Sequence, residues 1–187
     1  MPHKPFVLGI NGSPHRDGIG SRLLAEALLK AENEGAEIDS VNLVDHIKEI
    51  PSADYGKEMP ESLKPLEDVI KRADAIIFST PVHWFNMSTL MKALLDFMAP
   101  LEFPDFPLEG KVAGLIATCD EDGGQQVLSL MAAVLVHYGF IIPPYGMVFH
   151  NNKTNASEGD WQESDSKLLG KNVVRLSSAT QDSSWGY

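Results

Sequence analysis

Short apolar runs alternate with stretches whose apolar residues recur at helical spacing, and this alternation constrains the fold more than any other feature of the chain. Runs buried on both faces belong to the inside of a parallel sheet, and the helical stretches supply its covering layers. Strands are expected at residues 6–10, 36–43, 75–79, 111–118 and 140–149, with helices at 21–34, 61–72, 87–98, 124–138 and 164–180. In the second strand Glu37 and Asp39 share one side, which suits a half-exposed edge. The Pro143-Pro144 pair cannot donate to a ladder and places the fifth strand at an edge too. The pattern predicts an α/β fold, a three-layer α/β/α sandwich around a five-stranded parallel sheet of order 2-1-3-4-5.

The 187 residues suit one domain spanning 1–187, with the longest irregular stretch, 44–60, forming a pocket wall. A formal net charge of −11 argues against nucleic acid or anionic lipid as a partner, yet leaves room for a small anion held by backbone amides. The lone Cys119 excludes an internal disulfide, a four-cysteine zinc site and an iron–sulfur cluster held by this chain alone. Its plain reading is a small buried residue at a strand end. With no apolar run near the length of a membrane span, a cytoplasmic protein is expected.

In a doubly wound sheet ligands bind at the carboxyl ends of the strands, so three loops matter. The first, NGSPHRDGIGS at 11–21, combines free backbone N–H groups, small residues and hydroxyls, with Arg16 as an added charge. It fails the P-loop pattern, because Ile19 stands where lysine is needed, and it fails G-x-G-x-x-G, because Leu23 replaces the third glycine. The same residues also suit an ordinary glycine-rich turn with serine caps. The second loop, TPVHWFNMS at 80–88, puts Trp84 and Phe85 beside His83 and Asn86, a set that suits a planar ring ligand or packing on a neighbour. In the third, CDEDGGQ at 119–125, Gly123 and Gly124 allow close approach to a ligand or simply make a tight turn. Its acidic triplet reads as a solvated helix start rather than a metal site.

Three stretches in this order, GSPHRDGIGSRLL at 12–24, ADAIIFSTPVHWFNMSTLMKALLDF at 73–97 and LEGKVAGLIATCDEDGG at 108–124, resemble the NAD(P)H-dependent FMN reductase family of the flavodoxin-like superfamily. The resemblance implies that Ser13, His15, Arg16, Gly20 and Ser21 bind the FMN phosphate. It further implies that Pro81, Val82, His83, Trp84, Phe85 and Asn86 line the flavin ring, and that Gly123 and Gly124 meet its pyrimidine edge. Gly20 stands where the family often has Thr or Ser, so Ser21 takes over that hydroxyl. His83 stands where it often has Tyr. Related iron–sulfur flavoproteins carry a compact cysteine group in the stretch matching 44–60, and this chain has none there.

The expected activity is hydride transfer from NAD(P)H as co-substrate through FMN to a small-molecule electron acceptor, with no side chain nominated as catalytic. An electron carrier that binds FMN without NAD(P)H turnover is the alternative, favoured by the acidic charge. A flavin-free α/β module is a third. The 101–108 segment, with Phe103 and Phe106, is expected to join a homodimer or higher oligomer, or to roof the pocket; the 183–187 tail is expected to be mobile or docked on a neighbour.

Overall fold

The computed structural model describes residues 4–48, 58–154 and 161–181. The sheet runs β2 (Glu37–Asn42), β1 (Phe6–Asn11), β3 (Ala75–His83), β5 (Val112–Cys119), β6 (Met147–Asn151), all parallel, and β4 (Asn86–Met87) pairs antiparallel with the end of β3. In strand order this is the predicted 2-1-3-4-5 arrangement with a two-residue hairpin arm added. Alternate side chains of the central strands feed two separate cores. Leu8, Ile10, Ile76, Phe78 and Leu115 pack under α3 (Lys64–Arg72), α4 (Thr89–Phe97) and α5 (Gly124–His137). Val7, Ala75, Ile77, Val112 and Ile116 pack under α1 (Ile19–Asn33) and α6 (Trp161–Thr180). Such strands are apolar throughout because each face has its own helical layer.

Three boundaries differ from the sequence reading. β3 continues past Ser79 to His83, because Trp84 and Phe85 turn the chain back into β4 rather than releasing it into a loop. The single strand expected at 140–149 is divided: Ile141 makes one bridge to Val112, Pro143-Pro144 interrupts the ladder, and β6 begins only at Met147. Within the stretch 44–60 a short helix, α2 (Leu43–His46), forms, while 49–57 lies outside the described residues, as does the 183–187 tail. The 101–108 segment lies beside a cavity of about 380 Å³ that Lys64, Glu67 and Lys71 of α3 also line. Phe103 is 67% exposed there and stacks edge-on with Phe106.

Two features of the α1/α6 layer give measurable consequences. Gly170 brings α6 against the α1 backbone: a Cβ there would lie 2.1 Å from the Ala27 carbonyl oxygen. Alanine is the better helix former by about 1 kcal/mol, but a backbone clash cannot be relieved by rotating a side chain. Gly170→Ala is therefore expected to destabilise the fold by about 1–3 kcal/mol in urea titration. His150 of β6 is buried on the same face, and burial pushes its pKa below the ordinary 6.5, helped by the Arg22 charge and opposed by a hydrogen bond with Asn152. The unfolded chain thus binds a proton that the folded chain resists, and stability is lost as pH falls below about 6.5. His150→Gln is expected to lessen that loss between pH 7.5 and pH 5; an unchanged slope would show that another group controls it.

Candidate functional site

Asn11, at the end of β1, organises the first loop. It is 3% exposed; its Oδ1 accepts the Ser13 N–H at 3.0 Å, and its Nδ2 donates to Ser21 Oγ at 3.0 Å and to Asn42 Oδ1 at 2.9 Å. Ser13 Oγ accepts the His15 N–H at 3.0 Å and Ser21 Oγ donates to the His15 carbonyl at 3.4 Å, so side chains set the shape of the loop. Gly12 donates to the Ser79 carbonyl at 2.7 Å, and its own carbonyl accepts from Ser88 Oγ at 2.6 Å. A Cβ at Gly12 would stand 2.9 Å from Met91 Cε and 3.2 Å from Ser79 O, so a larger residue here would press on Met91 and on the base of the hairpin.

The loop delivers the chain into α1 with Gly18 at the N-cap, no side-chain cap and no acidic residue in the first turn. The first-turn N–H groups and the positive end of the helix dipole are thus left for an external anion. Gly20 sits in that turn against β3: Ser79 Oγ donates to its carbonyl at 3.0 Å and lies 2.9 Å from where a Cβ would be. The hydroxyl missing at Gly20 is therefore the cost of seating α1 on the sheet. Ser21 stays partly exposed at the same turn, whereas the Arg16 guanidinium pairs with Asp45 of α2 and not with the loop.

The second loop is a hairpin. Val82 pairs with Met87 and His83 with Asn86, leaving a two-residue turn in which Trp84 and Phe85 have φ of 50° and 61°. Paired positive φ is a turn that Asn-Gly makes without strain; two bulky aromatics cost about 1–3 kcal/mol each in that region. Trp84 is 96% exposed and Phe85 55%, so burial does not offset the strain. Ser88 locks the base of the hairpin: it caps α4 by accepting the Met91 N–H at 3.1 Å, and its own N–H donates to Thr80 Oγ1 at 3.0 Å.

The two faces of the hairpin meet different neighbours. Val82 and Phe85 face Gly123 of the third loop, where a Cβ would lie 3.3 Å from Val82 Cγ1 and 3.1 Å from Phe85 Cδ1. His83, Trp84 and Asn86 instead line, with Lys92 and Asp96 of α4, a cavity of about 410 Å³. The candidate ring residues are thus split between two sides of one arm. Pro81 lies below them in β3, in register with Thr118.

Gly123 has φ of 92° and is the N-cap of α5, again with no side-chain cap and no acidic first turn. Gly124 is required by packing, since a Cβ would fall 1.9 Å from the Phe149 ring. The acidic triplet is tied locally: Asp122 accepts the Gly123 N–H, Asp120 pairs with Asn152, and Glu121 with Lys153. Burial raises the Cys119 pKa, so the thiol stays protonated and packs as a small core residue. Asn11, Ser88 and Thr80 were absent from the sequence candidates; their roles depend on partners 8 to 76 residues away.

Comparison with known proteins agrees with this geometry. The family model described as NADPH-dependent FMN reductase matches residues 5–155. An iron-sulfur flavoprotein of Methanocaldococcus jannaschii is 30% identical over 188 residues, covering 91% of this chain and 96% of its own length. Among solved structures, RosB with a bound 8-demethyl-8-formylriboflavin-5'-phosphate intermediate has a TM-score of 0.80 at 20% identity, covering 97% of this chain and 82% of RosB. An NAD(P)H:quinone oxidoreductase from Methanothermobacter marburgensis has a TM-score of 0.71 at 14% identity, covering 91% of this chain and 98% of that one. With its sheet order, its glycine-dependent rim and a match over residues 5–155, the chain belongs to the NADPH-dependent FMN reductase family, in the flavodoxin-like fold.

Proposed function

We propose that this chain is an FMN-dependent oxidoreductase that takes hydride from NAD(P)H and passes electrons to a small acceptor such as a free flavin or a quinone. The observation that carries the reading is an α1 N-terminus with no side-chain cap and no acidic residue in its first turn, on the same rim as an exposed, strained aromatic hairpin. The first fits a dianion and the second a flat ring, and FMN joins the two in one molecule. Bound FMN supplies hydride acceptance and onward electron transfer.

The residues of the chain hold, orient and shield. The first-turn amides of α1, with the hydroxyls of Ser13 and Ser21, receive the phosphate, and the Asn11 carboxamide fixes the shape of that loop. Val82, Phe85 and the Gly123-Gly124 turn form the wall for the ring, and the uncapped α5 N-terminus favours negative charge at its pyrimidine edge. The cavity beyond His83 and Trp84 leaves room for a second planar reactant close to the same arm. An electron carrier would have less use for such a cavity.

Three outcomes are expected. Anaerobic mixing of the FMN-loaded protein with NADH or NADPH bleaches the flavin absorbance with at least one of them; if neither does so, the oxidoreductase reading falls. The double change Ser13→Ala with Ser21→Ala weakens FMN binding by about 1–3 kcal/mol and leaves riboflavin binding almost unchanged. Replacing the strained pair, Trp84→Asn with Phe85→Gly, raises the urea midpoint of the flavin-free chain by relieving about 2–6 kcal/mol, yet slows turnover. If that pair matters only for folding, turnover would not change.

A further inference from the structure

We propose that Asn151 is a positioning residue for the ring end of the site, acting through the third loop. The inference rests on the FMN reading above and extends it to a residue outside the three loops. Asn151 ends β6, in register with Cys119, and is 6% exposed. Its Nδ2 donates to the Glu121 carbonyl at 2.5 Å, while its Oδ1 accepts the N–H groups of Lys153 at 2.9 Å and Thr154 at 3.1 Å. One carboxamide therefore folds the chain after β6 and grips the loop after β5.

Neighbouring bonds show which contact does the holding. Asn152 N–H donates to the Cys119 carbonyl at 2.8 Å, and Lys153 Nζ pairs with Glu121 Oε1 at 2.6 Å. The ion pair has side chains 64% and 78% exposed, a setting where such pairs contribute little. The Asn151 bond is part-buried and comes from a side chain that is itself buried, so it is held more firmly than the exposed pair, and exchanging its donor for an acceptor sets two oxygens against each other. Three adjacent carboxylates, Asp120 to Asp122, would otherwise push this loop outward. Two residues earlier, Phe149 of the same strand seats its ring on Gly124. β6 thus holds the α5 start from two places, through Phe149 and through Asn151. Because Gly123 packs directly against Val82 and Phe85, moving this loop alters the ring end, whereas the α1 end has its own supports in Asn11 and Ser79.

Asn151→Asp tests this with an isosteric change. It keeps the acceptor for Lys153 and Thr154 and replaces the donor facing the Glu121 carbonyl by an acceptor. The expected result is a rise of about tenfold in the dissociation constants of both FMN and riboflavin, in parallel, with faster hydrogen exchange at the amides of residues 123–125. Lys153→Ala, the control for the exposed pair, is expected to change either constant by less than about twofold. Unchanged flavin affinities in Asn151→Asp, or a loss confined to FMN, would overturn the proposal, since the second result would place the effect at the phosphate. Should that variant fail to fold, Asn151→Ser is read by the same measurements and criteria. If the wild-type protein binds neither flavin, the FMN reading itself fails, and exchange at 123–125 alone decides the clasp: unchanged exchange in the variant refutes it.

Discussion

The site depends on how closely the β1–α1 turn approaches the base of the β3–β4 hairpin. Gly12 is held from both sides, its N–H on the Ser79 carbonyl and its carbonyl on Ser88 Oγ, in a space where a methyl group would crowd Met91 and Ser79. Ser88 simultaneously caps α4. One buried hydroxyl therefore fixes the first loop, the hairpin and a helix start relative to each other. If that junction loosened, the β1–α1 turn and the aromatic arm would still exist, but not at a constant separation. A ligand with an anion at one end and a ring at the other needs that separation.

Charge at the rim follows local rather than global bookkeeping. The chain carries −11, which would repel an anion if its field acted undiminished. At physiological ionic strength the screening length is about 8 Å, so carboxylates scattered over the surface act weakly at the α1 N-terminus. Its own amides would act at hydrogen-bond distance, with about half an elementary charge behind them. Placing no acidic side chain in the first turns of α1 and α5 preserves that advantage. Beside the second of these helices, Asp120 and Glu121 are occupied by Asn152 and Lys153, and Asp122 accepts the N–H of Gly123 ahead of the first turn.

Much of the fold was legible because it rests on local pattern. Apolar strands such as 75–79 and the Glu37/Asp39 alternation reveal their place in the sheet through period alone, and Pro143-Pro144 marks an edge through its missing donors. The hairpin was hidden for the opposite reason. Its turn residues, Trp84 and Phe85, contradict the Asn-Gly chemistry by which such turns are read, and strain of this kind gathers at functional sites. Gly20 was legible as part of an anion loop, but not as the residue that seats α1 against Ser79. Asn11 and Asn151 were equally hidden, because a carboxamide shows its role only when partners 31 or 30 residues distant are known.

The central claim is that a single ligand spans the two ends of this rim, with its phosphate on the start of α1. Backbone amide spectra of the ¹⁵N-labelled protein, titrated with FMN and separately with riboflavin, test it most directly. FMN should shift the resonances of residues 13–21 together with those of 82–86 and 123–125, while riboflavin should shift the latter two groups and leave 13–21 nearly still. Shifts from FMN that spare residues 13–21, or that match those from riboflavin throughout, would contradict the account.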